Sequence, residues 1–136
     1  MDGVVGAGGG AEATIVQLLG KCQMQVINRT AEKAQALADK YNLAKDITCP
    51  DGILTFVPEC QFEQNLPLPN SCQFVFVSAY NGTSGLRNKA QERGIKVVDG
   101  LQMLYHQGAK AFALWTNTPI QSDYQNFQNF LKKVTK

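Results

Sequence analysis

The sequence predicts an α/β fold: a doubly wound parallel sheet of about six strands with helices on both faces, forming one domain over residues 1–136. Short runs of β-branched and aromatic residues alternate with longer stretches of helical character, which is the order of strands and helices in a parallel sheet. A glycine cluster, Gly6–Gly10, separates the first such run from the first helical stretch. The length of 136 residues suits one sizeable core and is too short for two.

Six apolar runs are expected to form the strands, and the first is a short one directly before the glycines. The run Phe74–Ala79 has the clearest strand pattern, and Pro58 ends the compact run before it. The run Leu43–Thr48 is poorly patterned and is expected to form a weak edge strand. The expected strands are Met1–Val5, Met24–Ile27, Leu43–Thr48, Ile53–Val57, Phe74–Ala79 and Lys96–Val98.

Residues that favour helix caps indicate the helix boundaries. Gly20 suits the end of the first helix, and Thr30 is a good N-cap for the second. Gly94 ends the third, and Pro119 separates the last two. The loop from Pro58 to Cys72 contains three prolines, and a loop of that length is usually functional or marks a lost element. The expected helices are Gly10–Leu19, Ala31–Tyr41, Leu86–Arg93, Gln102–Trp115 and Tyr124–Val134.

The glycine cluster fits the fingerprint G-x-G-x-x-G/A of a Rossmann-like dinucleotide site at Gly6, Gly8 and Ala11. The first glycine allows the tight turn, the second lets the backbone approach a pyrophosphate, and a small third residue lets helix and strand pack closely. The following helix N-terminus offers free N–H groups and partial positive charge to phosphate oxygens. The residues expected to cradle the pyrophosphate are Gly6, Ala7, Gly8, Gly9 and Gly10.

The end of the second strand indicates which dinucleotide binds. An acidic residue about 20 positions after the glycines selects NAD, because it binds the ribose 2′-hydroxyl. Here Asn28 takes that place, followed by Arg29 and Thr30, with Lys33 one turn further on. A guanidinium can hold a 2′-phosphate bidentately and stack on adenine, so the chemistry favours NADP. The alternative is that Arg29 is an unrelated surface residue.

Composition excludes several other classes. A net charge of +2 with scattered basic residues gives no reason to expect nucleic-acid binding. The four cysteines form no C-x-x-C pair and His106 is the only histidine, so no metal site is expected. No signal peptide or long apolar run is present, which argues against secretion and against a membrane. Free thiols and a cytoplasmic location are therefore expected.

Four stretches carry a resemblance to one enzyme family. Residues 6–10 read GAGGG and residues 28–34 read NRTAEKA, which is similar to the cofactor half of shikimate dehydrogenase. Residues 98–109, VDGLQMLYHQGA, resemble the family signature D-G-L-x-M-L-x-x-Q-G/A-A, and residues 111–116, AFALWT, resemble the start of A-F-x-L-W-T-G. Tyr80-Asn81, with Thr83, Leu86, Ala90 and Gly94, resembles the Y-N-P…T…L…A…G stretch. The resemblance covers nearly the whole chain.

The resemblance implies a reaction and further site residues. The reaction is reversible reduction of 3-dehydroshikimate to shikimate by NADPH, a step of aromatic amino-acid biosynthesis. Gly100 and Met103 would lie along the nicotinamide, Tyr80 would approach the substrate side of the cleft, and Gln107 would bind a substrate hydroxyl. An ordinary interpretation stays open beside these roles. Met103, Leu104, Phe112 and Leu114 also suit the core face of a helix, which is what we expect for the last three, and His106 is expected on an exposed helix face.

The resemblance also implies parts that these residues do not supply. The family's catalytic Lys and Asp belong to an N-terminal substrate domain, and the short first strand suggests that something upstream was removed. We therefore expect a truncated, cofactor-binding half that is incomplete for catalysis alone, has no catalytic residue of its own, and takes a small-molecule substrate only if a substrate domain is supplied. Whether the chain acts as an enzyme stays open. Apolar surface at the cleft face makes a homo-oligomer a reasonable expectation.

Two departures from the family pattern keep an alternative open. The family loop N-A-T-P-x-G-M corresponds to Thr55–Gln61, where only Pro58 is kept. Glu12 stands where the family often has Arg, and its carboxylate would repel a pyrophosphate if it pointed toward it. The alternative function is a non-catalytic nucleotide- or partner-binding module derived from the family. A third is the cofactor domain of a quinate or shikimate dehydrogenase paralogue, which only the substrate domain would decide.

Overall fold

A computed structural model describes residues 1–46, 48–57, 61–80, 84–121 and 123–134. It divides into two compact units, Met1–Asp99 and Gly100–Lys136. That the chain forms a single domain stays a prediction. The elements of the first unit are β1 (Asp2–Val5), α1 (Gly9–Leu18), β2 (Met24–Ile27), α2 (Ala31–Tyr41), β3 (Gly52–Thr55), α3 (Gln61–Gln64), β4 (Phe74–Val77), α4 (Gly85–Glu92) and β5 (Lys96–Asp99). The second unit contains α5 (Gly100–Thr116) and α6 (Tyr124–Val134).

The strands form a parallel sheet in the order β2-β1-β3-β4-β5. Val4 pairs with Val26 on one side and Leu54 on the other, so β1 lies between β2 and β3. The chain leaves β1 toward one edge and then crosses back to the other side of β1. In open α/β sheets, this reversal of strand order creates a crevice at the carboxyl ends of the strands, where ligands bind.

Alternate strand residues face two separate cores, because successive side chains of a strand point to opposite faces. Val4 packs with residues of α1 and α2, whereas Val5 packs with residues of β3, β4 and α4. Helices therefore cover both faces, and the predicted doubly wound parallel sheet is confirmed. The buried residues of the first core are Val4, Ala11, Ile15, Met24, Val26 and Leu37, and those of the second are Val5, Ile53, Leu66, Cys72, Val75, Val77, Leu86 and Ala90.

The prediction of about six strands is wrong by one, since the described residues contain five. The weak edge strand predicted at Leu43–Thr48 is not observed: the described residues of this segment belong to no strand. The Ala44 N–H donates to the Met24 carbonyl at 3.0 Å, and the Gln25 side chain donates to the Lys45 carbonyl at 2.6 Å. One backbone hydrogen bond ties the segment to β2 without forming a strand ladder.

Local conformations agree with most of the expected boundaries. Gly20 and Gly94 have φ of 74° and 66°, as expected for glycines that end helices. The loop before Cys72 contains the short helix α3, which its composition did not indicate.

Phe112 and Leu114 are 42% and 83% exposed, so the expectation that they lie in the core is wrong. In the second unit, Tyr105 on α5 contacts aromatic rings of α6 at centroid distances of 5.5 and 5.7 Å. Within the described residues, we find no helix of the length and apolarity needed to span a bilayer.

Candidate functional site

A cavity of about 320 Å³ opens at the carboxyl ends of β1, β2 and β3, where the strand order reverses. The residues that directly follow each of these strands line the cavity. The lining residues are Gly6, Ala7, Gly8, Asn28, Arg29, Thr30, Lys33, Phe56, Val57 and Phe62. None of these described residues is acidic, and two are basic. The cavity is therefore suited to an anionic ligand that also has apolar surface.

The glycine turn forms one side of this cavity. Gly6 has φ of +113°, which favours glycine, and its N–H donates to the Ile27 carbonyl at 2.8 Å. A Cβ on Gly8 would meet nothing within 4 Å, so a ligand can approach the backbone there. The first helical hydrogen bond of α1 runs from the Glu12 N–H to the Gly8 carbonyl at 3.0 Å. The N–H groups before Glu12 therefore have no helical acceptor and can bind phosphate oxygens.

A basic corner, formed by Arg29, Thr30 and Lys33, lies at the start of α2. The Asn28 side chain donates to the Thr30 carbonyl at 3.1 Å, which holds the turn between β2 and α2. Arg29 and Lys33 are exposed, and among the described residues neither side chain has a hydrogen-bond or salt-bridge partner. The Thr30 hydroxyl makes no capping bond. Two cations and a hydroxyl donor are thus free to bind a phosphate group.

An apolar wall, formed by Phe56, Val57 and Phe62, faces the glycine turn. The Phe56 N–H donates to the Val5 carbonyl at 2.8 Å, which continues the sheet beyond β3. A Cβ on Gly10 would lie 3.1 Å from Phe56 Cδ1, so the ring packs directly on the start of α1. Sequence reasoning did not list these three residues as site residues, although the family resemblance had placed Phe56 and Val57 in the loop Thr55–Gln61. Their position directly after a strand whose carboxyl end meets the crevice is a second signal.

Comparison with known proteins agrees with this geometry. The family profile described as "Shikimate 5'-dehydrogenase C-terminal domain" matches residues 100–123. A shikimate dehydrogenase (NADP(+)) of Archaeoglobus fulgidus is 34% identical over 135 residues, covering 83% of this chain and 49% of that protein. One of Methanococcus aeolicus is 31% identical over 134 residues, covering 83% and 48%. The crystal structure of shikimate 5-dehydrogenase from Thermus thermophilus in complex with NADP(H) and shikimate has a TM-score of 0.79 at 26% identity, covering 97% of this chain and 54% of that one.

This chain is similar to shikimate dehydrogenases over most of its own length. It spans about half the length of the curated relatives that it matches. The resemblance predicted from the glycine turn and the 98–109 signature is thereby confirmed. The relatives carry NADP(+) in their names, and the Thermus structure contains NADP(H).

The Glu12 side chain is hydrogen-bonded to α2. Its Oε1 accepts hydrogen bonds from the Lys40 ammonium and the Tyr41 hydroxyl, each at 2.8 Å. These hydrogen bonds, together with the charge of Lys40, hold the pKa of Glu12 below its ordinary value. The carboxylate is therefore ionised, but its charge is paired with an ammonium group. Glu12 does not line the cavity. Its paired carboxylate would therefore repel a bound pyrophosphate less than an unpaired carboxylate would.

The other predicted site residues lie outside the cavity lining. Gly9 and Gly10 form the first turn of α1, and Tyr80 follows β4 with 54% of its surface exposed. Gly100, Met103 and Gln107 are all on α5 in the second unit. Their roles toward nicotinamide and substrate stay predictions. Three further positions of the resemblance, Pro58, Asn81 and Thr83, lie outside the described residues.

Proposed function

We propose that this chain binds NADP(H) in the cavity at the carboxyl ends of β1, β2 and β3. The observation that carries this proposal is the basic corner: Arg29 and Lys33 flank the cavity with no partner among the described residues. Two unpaired cations at the mouth of a cavity are explained if a bound ligand supplies the anion that pairs with them. The open backbone at Gly8 and the start of α1 provide a second place for phosphate oxygens.

The proposed arrangement assigns one part of the ligand to each side of the cavity. The glycine turn, with Gly6, Ala7 and Gly8, takes the pyrophosphate. Asn28, Arg29, Thr30 and Lys33 take the adenosine ribose with its 2′-phosphate. Because no carboxylate among the described lining residues competes for the 2′ position, NADP is favoured over NAD.

We further propose that the whole activity is that of an NADP-dependent shikimate dehydrogenase, in which this chain is the cofactor-binding portion. When bound, NADPH supplies a hydride for reduction of a ketone to an alcohol. The residues of this chain bind and orient the cofactor. Gly100 and Met103 remain our candidates for contact with nicotinamide, and Tyr80 and Gln107 for contact with substrate. We assign the proton donor to the N-terminal substrate domain that the family resemblance implies.

The proposed setting is a reducing compartment such as the cytoplasm. Cys22, Cys49 and Cys72 are free thiols, which fits such a compartment.

Leu114 and Trp115 are 83% and 85% exposed, which supports the expectation of self-association through apolar surface. Size-exclusion chromatography with light scattering tests this; a monomer across the micromolar range contradicts it.

Parallel titrations with NADPH and NADH test the proposed function. We expect NADPH to bind at least about tenfold more tightly than NADH, because a hydrogen-bonded charge pair at the 2′-phosphate contributes about 1.5–3 kcal/mol. Absence of NADPH binding at millimolar concentration would overturn the proposal. Equal affinity for both cofactors would leave the cavity as a dinucleotide site but contradict the assigned role of Arg29.

A second assay separates the catalytic reading from the non-catalytic alternative. Shikimate and NADP are added to the chain alone and to the chain mixed with a family substrate domain. NADPH formation in the mixture supports the dehydrogenase portion. Cofactor binding without turnover in either sample favours a nucleotide-binding module.

A further inference from the structure

The helix α3 bears one residue of the cofactor cavity and, next to it, a buried carboxylate. It has a single turn, Gln61–Gln64, and a helix this short has no stability of its own in water. Contacts with the rest of the chain must therefore hold it in place. Phe62 on this turn lines the cavity, and Glu63 is only 1% exposed.

Glu63 binds the N-terminus of α4. Its Oε2 accepts from the Gly85 N–H at 3.1 Å, and its Oε1 accepts from the Leu86 N–H at 3.1 Å and from the Ser84 hydroxyl. The Ser84 Oγ in turn accepts from the Arg87 N–H at 3.0 Å. The first N–H groups of α4, which lack helical acceptors, are thus satisfied by these two side chains. The partial positive charge at the helix start favours the carboxylate.

Further contacts of α4 hold the segment after Glu63. The Lys89 ammonium donates to the Gln64 carbonyl at 2.6 Å and to the Leu66 carbonyl at 3.1 Å. A Cβ on Gly85 would lie 2.9 Å from the Gln64 Cα, so the two backbones approach too closely for a side chain. These contacts with α4 therefore set the position of α3, and among them Glu63 is next to Phe62, the residue of α3 that lines the cavity.

We infer that Glu63 is a positioning residue of the cofactor site: by binding the start of α4, it fixes Phe62 in the cavity wall. This inference rests on the proposed function. Phe62 is half-buried and packs on the second core, so its ring has a preferred place only while the α3 turn is held. Loss of the Glu63 carboxylate releases that turn and removes the ring from the cavity lining that it shares with Phe56 and Val57.

NADPH titrations on the full chain test this inference, with NADPH emission as the signal. We expect Glu63→Ala and Phe62→Ala each to raise the Kd about tenfold. The double variant is expected to raise it no further than Phe62→Ala alone, because residues that act through one another have non-additive effects. Glu92→Ala removes an exposed carboxylate at the far end of α4 and is expected to keep the wild-type Kd.

Loss of a buried helix-capping carboxylate also lowers stability. Glu63→Gln is therefore the second variant, because the amide keeps one acceptor oxygen. Circular dichroism confirms that each variant is folded at the titration temperature. A purely structural role for Glu63 would lower the melting temperature and leave the Kd of the folded protein unchanged. That result, or additive effects in the double variant, overturns the inference alone. A wild-type chain that does not bind NADPH overturns the proposed function and this inference together.

Discussion

The Glu12 carboxylate accepts a hydrogen bond from the Lys40 ammonium at 2.8 Å, and this pair joins the first turn of α1 to the last turn of α2. The hydrogen bond lowers the pKa of Glu12 and raises the pKa of Lys40. The pairing balances the negative charge of an acidic residue beside the proposed pyrophosphate site. It thereby lets a carboxylate occupy the start of α1 without leaving its charge free.

The pair predicts a pH-dependent difference in stability. A carboxylate whose pKa is lower in the folded state stabilises the protein above its unfolded pKa, near 4.5, and the gain is lost as pH falls through the folded pKa. Glu12→Gln should therefore melt at a lower temperature than wild type near neutral pH, and the gap should close in acid. Thermal melts over a pH series measure this, with Glu92→Gln as the control. Both groups are solvent-exposed, so added salt should shrink the gap; a gap independent of pH contradicts the prediction.

The glycine turn predicts that Gly6 and Gly8 serve different purposes. Gly6→Ala forces a side chain into φ of +113° and places its Cβ 3.3 Å from Val57 Cγ1, so we expect a loss of about 1–2 kcal/mol in the free energy of unfolding. Gly8→Ala meets no neighbour within 4 Å and should leave stability unchanged. Its methyl group would lie where we propose that the pyrophosphate approaches, so the NADPH Kd should rise about tenfold or more. Denaturant unfolding and NADPH titration on both variants separate the two effects.

The basic corner predicts selective loss of NADPH affinity. Arg29→Ala should raise the NADPH Kd roughly ten- to a hundredfold, since hydrogen bonds to charged groups contribute about 1.5–3 kcal/mol. The Kd for NADH should stay unchanged, because NADH has no 2′-phosphate. Lys33→Ala should act in the same direction, and Lys21→Ala, an exposed lysine outside the cavity lining, is the control. An equal loss of affinity for both cofactors contradicts the assignment.

The pairing of β3 with β4 predicts a steric requirement at Gly52. This glycine is the register partner of Phe74, and a Cβ on it would lie 2.1 Å from Phe74 Cζ. Gly52→Ala must displace the ring and should destabilise the protein by about 1–3 kcal/mol. Adding Phe74→Leu should recover part of that loss, as measured by denaturant unfolding. Gly108→Ala, with open space around the new methyl, should not destabilise.

The thiols predict an order of chemical reactivity. Cys49 is exposed, whereas Cys72 is buried and burial raises the pKa of its thiol. Because the thiolate is the reactive form, Cys72 should alkylate much more slowly than Cys49 at neutral pH. Peptide mapping after timed iodoacetamide treatment measures both rates. Equal rates in the folded protein contradict the burial of Cys72.

The alternation of short apolar runs and helical stretches was enough to predict the parallel sheet and most boundaries, because both are set by neighbouring residues. Ala31–Tyr41 and Tyr124–Val134 agree with the structure at both ends. The extra strand at Leu43–Thr48 could not be excluded locally, since strand formation needs a partner ladder, and the described residues of this segment form only one backbone hydrogen bond with β2. The turn α3 was missed for the same reason: its stability comes from α4.

The sequence by itself determined the glycine turn, the basic residues after β2 and the resemblance to shikimate dehydrogenases, because each depends on residue type at a fixed spacing. Only the tertiary structure added Phe56, Val57 and Phe62 to the cavity lining. Phe56 and Val57 reach the glycine turn through strand order, and we infer that Phe62 is held in the lining by an anchor on α4. The pairing of Glu12 with Lys40, across two helices, is likewise a consequence of packing. Contacts between residues far apart in the chain depend on how the elements stack, which spacing along one element does not encode.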